Sequence, residues 1–212
     1  MKMKEVFEPD NLFNSIMTKI FDLVLLSVLW IIGCIPVITI GASTSALYYV
    51  TMKMAEDRDS GIIKTFWKGY KDNLKKSIPL TCLLLLCAGV LAADFHVLGA
   101  KDAAGASVMY GGCIALAIIL AAVYGYVFPL LAKFENTVKN TLVNGAKLAI
   151  THLPQTVVIT ILNVLPGVWL LISPETFSLI FWIWVFAGTG IVAYVNSILL
   201  IRIFNLLIEK QD

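Results

Sequence analysis

Four ionisable side chains in mostly apolar surroundings are the first candidates for chemistry: Asp22, Asp94, His96 and His152. His96 follows Asp94 by two residues, a spacing that could hold a metal ion or a proton, or simply leave two solvated groups at an interface. The chain has only two histidines and four cysteines. Cys34, Cys82, Cys87 and Cys113 lie within or at the ends of apolar segments and show no CxxC spacing, so they read as small core residues. No phosphate-binding P-loop, HExxH, GxSxG or GxGxxG pattern occurs. An active site would need two or more of the four ionisable residues to meet. The topology derived below puts Asp94 and His96 outside the membrane and His152 inside, so the expectation is a non-enzymatic protein with no metal and no other cofactor.

The elements that position these groups follow from composition. Of 212 residues, 59% are hydrophobic and 14% charged, and the mean hydropathy is +0.86; soluble domains average about 25% charged residues. Apolar runs approaching the ~20 helical residues that cross a hydrocarbon core recur, ending near Ile40, Ala93, Ala132, Ile172 and Ile201. They do not alternate as barrel strands do, and helices satisfy their own backbone in lipid. The expected fold is an all-α, polytopic membrane bundle forming a single domain over residues 1–212.

Lysine counting selects the threading. If residues 13–55 cross once, Lys2, Lys4, Lys19 and Lys101 lie outside against twelve basic residues inside; if they cross twice, with a turn at Pro36, Lys101 alone lies outside. Six membrane helices with both termini cytoplasmic are therefore expected, and five are the alternative. Beyond the first two, the helices fall at about Ile78–Ala93, Val108–Phe134, Leu153–Ile172 and Phe177–Ile208. Ser173, Pro174 and Glu175 start the last helix as N-cap, first position and first turn.

Between two apolar runs, residues 61–77 read as a basic amphipathic helix at the cytoplasmic surface. Ile62, Ile63, Phe66, Trp67, Tyr70 and Leu74 share one face, while Lys64, Lys68, Lys71 and Lys75, with Lys76 beside them, occupy the other. The apolar face would lie at the acyl boundary with Trp67 at headgroup level, and the lysines would meet anionic inner-leaflet lipids. The net charge of +2 and the shortness of the basic cluster argue against nucleic acid. A shift of 76 residues superimposes Thr65, Gly69 and Lys71 on Thr141, Gly145 and Lys147, with Pro79 and Pro154 following at nearly equal distance. Residues 136–150 are therefore a repeat counterpart, and the unit reads as helix, cytoplasmic helix, helix.

Polar residues inside the spans are costly and need partners. Asp22 either pairs locally with Lys19 or faces inward; Asn163 and Asn196, with Ser197, are the other candidate interior polar groups. Pro166 is expected to kink its helix beside Asn163. Gly41, Ala42, Ser43 and Ser45 form a small-residue face suited to close helix packing, which carries Tyr48 and Tyr49 into mid-helix.

The stretch 7–53 resembles the YesL-like family of bacterial integral membrane proteins of unknown function. The likeness rests on Phe7, Pro9 and Asp10, on Asp22, Leu23, Leu29 and Trp30, and on the run from Pro36 to Tyr49; the Lys64–Ser77 loop is also similar. Ser27 departs from the asparagine frequent in relatives before the Leu-Trp pair, which implies a weaker buried polar contact there. The resemblance implies a bacterial cell membrane location and a gene neighbourhood of carbohydrate importers. It thus points to an accessory role beside importer permeases, in a bilayer rich in anionic lipid. A small homo-oligomeric transporter or channel lined by Asp22, Asn163 and Asn196 is the alternative expectation.

Overall fold

The computed structural model describes residues 12–58, 61–99 and 106–208. The termini with Lys2 and Lys4, the family-like Phe7, Pro9 and Asp10, and Lys101 in the outer loop fall outside the described residues. Every regular element among the described residues is helical: α1 (Leu12–Cys34), α2 (Ile40–Ala55), α3 (Ile62–Gly99), α4 (Ala106–Lys133), α5 (Val138–Thr151), α6 (Leu153–Ile172), α7 (Pro174–Ile183) and α8 (Thr189–Ile208). A 3-10 turn at Val37–Thr39 opens α2, and a π turn at Trp184–Gly188 joins α7 to α8. Five stretches are long and apolar enough to cross a membrane by length and composition: Ile16–Cys34, Ile62–Val97, Val108–Lys133, Leu153–Ile172 and Pro174–Leu206. The molecule is a polytopic helical bundle.

The shortest of the helices in the first half of the chain is its hub. Twelve of the sixteen residues of α2 are buried, with α1, α3, α4 and α8 packed around it. Small side chains make this possible: a Cβ on Gly41 would collide with the Thr81 hydroxyl of α3 and the Phe128 ring of α4. Without an apolar-to-water gradient between lipid and core, such close backbone approach is what van der Waals packing requires.

The helix α2 folds back antiparallel on α1 through a turn that Thr39 closes. Its hydroxyl lies 2.7 Å from the Pro36 carbonyl and 2.9 Å from that of Gly33, and the Thr39 amide donates to Pro36 O at 2.9 Å. Gly41 lies against Thr81, and from that level 18 residues of α3, ~27 Å at 1.5 Å per residue, continue beyond Gly41, so that α3 outruns the hairpin tip a few residues further on. The turn expected at the outer end of the bundle therefore lies short of it. Its tip is apolar and exposed, with Ile35 at 75%, Val37 at 59% and Ile38 at 52%. Aliphatic side chains at such a tip are suited to acyl chains rather than water.

Two expectations about the lysine-rich stretch are corrected. The first is the break at Pro79: α3 runs unbroken from Ile62 to Gly99 with Pro79 inside it. Both flanks are held by α2, at Gly69 against Tyr49 and at Thr81 against Gly41. The Thr81 and Ser77 hydroxyls bond the carbonyls of Ser77 and Leu74 at 2.8 and 3.1 Å, adding side-chain bonds on both sides of the proline, whose own missing amide leaves the Lys75 carbonyl without its helix donor. The second is the apolar face of residues 61–77. Phe66 is fully buried, Thr65 and Gly69 are buried, and Trp67 and Tyr70 are half-buried in the same core as α2. The part of that face around Phe66 is turned into the protein, while Ile63 is 53% exposed.

The repeat counterpart folds similarly but ends differently. In both units the matched threonines, Thr65 and Thr141, are buried. The matched glycines face the preceding helix, Gly69 against Tyr49 and Gly145 against Val127. However, α5 stops at Thr151, and His152, at φ −120° and ψ 53°, re-aims the chain into α6 with Pro154 in its first turn. The Thr156 hydroxyl covers the junction, within 2.9 Å of Ala149 O and 3.0 Å of His152 O. Pro166 lies inside α6, which stays helical through it.

Candidate functional site

Polar side chains gather on the buried sides of α2. Trp30 Nε1 on α1 donates to Thr44 Oγ1 at 3.2 Å, and Ser43 Oγ donates to the Trp30 carbonyl at 2.7 Å. Thr51 Oγ1 bonds Leu47 O at 3.0 Å and lies 2.7 Å from Ser197 Oγ on α8. A hydroxyl has one proton, so with Thr51 donating to Leu47 it is Ser197 that donates across the helices. These bonds tie α1 and α8 to α2 at positions that small residues bring close.

One turn away, three helices meet through amide chemistry. Asn196 Nδ2 on α8 donates at 3.2 Å to the Tyr48 hydroxyl on α2 and at 3.2 Å to Asn163 Oδ1 on α6. Asn196 is fully buried and Tyr48 nearly so. Asn163 Nδ2 and Asn196 Oδ1 are buried without a hydrogen-bond partner among the described residues. An unmade bond on a buried amide costs about 1–3 kcal/mol, so this junction holds the three helices with less than its full hydrogen-bonding capacity. It consists of neutral amides and hydroxyls.

Beside it lies a cavity of about 450 Å³ between α3, α4 and α6, with Asn163, Tyr124 and Thr81 near its inner end and Phe95 near its outer end. Its size falls in the range of small-molecule sites. The walls between are leucines and alanines.

Of the interior polar candidates, Asn163 and Asn196 are brought together and Asp22 is not. Asp22, half-buried, faces the start of α3 in a recess formed with Gly61, Ile62, Ile63 and Lys64, where the positive end of the helix dipole favours a carboxylate. Lys19 reaches Asp57 at 3.7 Å. Lys64, Lys68, Lys71 and Lys75 are exposed on the side of α3 away from α2, and Lys76 is half-buried. Gly41, Ala42, Ser45 and Tyr48 are all buried within the chain. Asp94 and His96 are exposed near the outer end of α3, and His152 Nδ1 lies 2.9 Å from Thr151 Oγ1 at the α5–α6 junction. Cys82 is exposed and the other three cysteines are half-buried, so none is a core residue. No group of three or more His, Cys, Asp or Glu converges among the described residues.

Of two further contacts, the one at Ser27 is signalled in the sequence only as a weaker buried polar position, and the one at Glu56 has no sequence signal. Ser27 Oγ donates to Leu23 O at 2.9 Å and accepts from the Gly190 amide at 3.0 Å, which clamps α1 to α8. A Cβ on Gly190 would stand 2.5 Å from Leu23 O. The contact forms just after the π turn, where Thr189 N bonds back to Trp184 O; such turns locally re-register a helix and concentrate at functional positions. The serine that departs from the family pattern is thus fully engaged. Glu56, just past α2, pairs with Lys133 at the end of α4 at 2.6 Å.

The class is therefore a helical membrane bundle built around a short, small-residue helix hairpin with an adjoining polar cluster. A family model described as a protein of unknown function, DUF624, matches residues 23–95. The match covers the second half of α1, all of α2 and most of α3, and takes in Leu23, Leu29, Trp30 and the run from Pro36 to Tyr49, whereas Phe7, Pro9, Asp10 and Asp22 lie outside it. No curated protein and no solved structure matches the chain.

Proposed function

We propose that this chain is a non-enzymatic, multi-pass protein of the bacterial cell membrane that assists carbohydrate uptake by associating with importer permeases. The observation that carries the proposal is the sparse packing of its outer hairpins. In α6 only Thr156 and Ile159 are buried, both in its first half. Leu171, Leu179 and Ile183 on the α6–α7 hairpin are 84%, 82% and 67% exposed. Helices so thinly covered by their own chain are available to other membrane helices. The YesL-like resemblance supports the carbohydrate context, and the lysine face of α3 supports a cytoplasmic location for both termini, next to anionic inner-leaflet lipid.

The convergence of Asn163, Asn196 and Tyr48 beside a cavity favours a second reading, a small transporter or channel acting as a homo-oligomer. Asp22, away from that cluster, has no part in it. Purification of the tagged protein from its native membrane in mild detergent, with mass spectrometry of stoichiometric partners, separates the two. Importer permeases at fixed ratio support the accessory role. Recovery of copies of this chain alone sinks it and leaves transport.

A further inference from the structure

We infer that the α6–α7 hairpin is a hinged arm that swings as one body, with the Asn163–Asn196 bond as its latch and Gly125 on α4 as its seat. The arm has this freedom with or without a permease beside it. Within the hairpin the two helices hold each other: Trp169 Nε1 donates to Thr176 Oγ1 at 3.1 Å, and Phe177, the buried residue of α7, packs edge-on against Trp169 and Phe181. Toward the rest of the chain they hold little. Helix α7 packs chiefly on α6 and the π turn, and beyond Ile159 no residue of α6 is buried. Both ends of the arm are irregular. At one end the single non-helical residue His152 joins α5 to α6, and Thr156 fixes the foot, 2.9 Å from the Tyr126 hydroxyl and 2.9 Å from Ala149 O. At the other end the π turn Trp184–Gly188 interrupts the helical ladder, and such turns are where long helices bend.

Between the foot and the π turn, the side-chain hydrogen bond that ties the arm to another helix is the one from Asn196 Nδ2 to Asn163 Oδ1, at 3.2 Å. It is one half of a reciprocal amide pair. The other half needs Asn163 Nδ2 to donate to Asn196 Oδ1, and both atoms are buried without a partner among the described residues. The arm is therefore latched by one bond where the same two side chains could make two. Its seat is a bare spot on α4: a Cβ on Gly125 would stand 2.8 Å from Ile159 Cγ2 and 3.5 Å from Asn163 Nδ2. Helix α6 also supplies Asn163 and Val164 to the wall of the cavity between α3, α4 and α6. With the arm down, Asn163 Nδ2 is closed off from that cavity. Lifting α6 off Gly125 takes the wall away, so that the buried amide of Asn196 and the cavity become one space.

The test is distance measurement by pulsed electron resonance on the full-length protein in lipid nanodiscs, its four cysteines replaced by alanine. Nitroxides are placed at Gly167→Cys on the arm and Gly112→Cys on α4, and a control pair at Gly89→Cys and Gly112→Cys spans α3 and α4; at all three glycines a side chain meets nothing within 4 Å. The arm pair is expected to show a shorter and a longer distance, the control pair one. Asn163→Leu, at a half-buried position, should raise the ratio of long to short by about fivefold, the worth of one net hydrogen bond. Gly125→Ala leaves the latch residues in place but presses on Ile159, and should shift the ratio the same way. A single arm distance that neither substitution changes overturns the arm. Equal broadening of the control pair overturns it too, because the whole bundle would then have loosened. A shift with Gly125→Ala but none with Asn163→Leu overturns the latch.

Discussion

Asn196 on α8 donates to Asn163 on α6 across 33 residues of sequence, at 3.2 Å, and the same amide nitrogen reaches Tyr48 on α2. This bond joins α6 to α8 and, through Tyr48, to α2. A second buried polar anchor of α6 is Thr156, 2.9 Å from the Tyr126 hydroxyl on α4.

Asn196→Leu is expected to destabilise the protein by about 1–2 kcal/mol, because it strips the amide from both partners in a water-free site. Asn163→Leu should cost less, its side chain being half-buried. The double substitution should cost less than the sum by about 0.6 kcal/mol or more. Reversible unfolding of the four proteins in mixed micelles measures this; strict additivity would mean that the two amides are not coupled.

Gly41→Ala should lose at least about 2 kcal/mol, since the added methyl has to displace the Thr81 hydroxyl or the Phe128 ring within a packed core. Gly89→Ala meets nothing within 4 Å and should be neutral or slightly stabilising. The contrast between two single methyl additions is read by thermal denaturation in the same detergent.

Ser27→Ala removes the acceptor of the Gly190 amide. The expected cost is about 1–3 kcal/mol, and the local signature is faster hydrogen exchange at residues 184–192, where the π turn enters α8. Unchanged exchange there would mean that Gly190 finds another acceptor.

The pair Glu56–Lys133 has side chains 16% and 22% exposed, whereas Lys19–Asp57 stands at 49% and 87%. Glu56→Gln should therefore cost roughly 1–3 kcal/mol and Lys19→Gln less than about 0.5. Raising salt from low to molar concentration should weaken the second pair far more than the first. Equal responses would place both pairs in the same dielectric environment.

Replacing Lys64, Lys68, Lys71 and Lys75 together by Gln should leave stability nearly unchanged, as these side chains point away from α2. It should nonetheless produce a fraction of inverted molecules, scored by the accessibility of a cysteine introduced at Glu135. A uniform orientation would show that charges elsewhere set the topology.

Much of the bundle could be read from residue order. Apolar run lengths placed α4 and α6 within a residue or two of Ala106–Lys133 and Leu153–Ile172, since span length is fixed by lipid thickness. The small-residue run from Gly41 foretold close packing, though not that α2 would be the most enclosed helix; burial in a bundle follows position among neighbours, which hydropathy does not encode. For the same reason the Phe66 face read as lipid-facing, because an amphipathic pattern says that one side is covered without saying by what. Pro79 misled as a boundary because α2 holds α3 on both flanks of it. Asn163 and Asn196 were visible as polar residues in apolar runs. Their meeting, and the choice of Tyr48 over Asp22 as companion, depends on the rotation of α8 after a π turn that no residue type announces.

The hairpin tip at Ile35–Ile38 has a consequence for biogenesis. Its four residues are uncharged, and the carbonyls of Gly33 and Pro36 are met by Thr39 within the turn itself. With an uncharged tip whose freed carbonyls are already met, no polar loop has to be stripped of water for α1 and α2 to take their places. The pair can enter the bilayer as one closed unit, and α3 and α4 can then assemble around it.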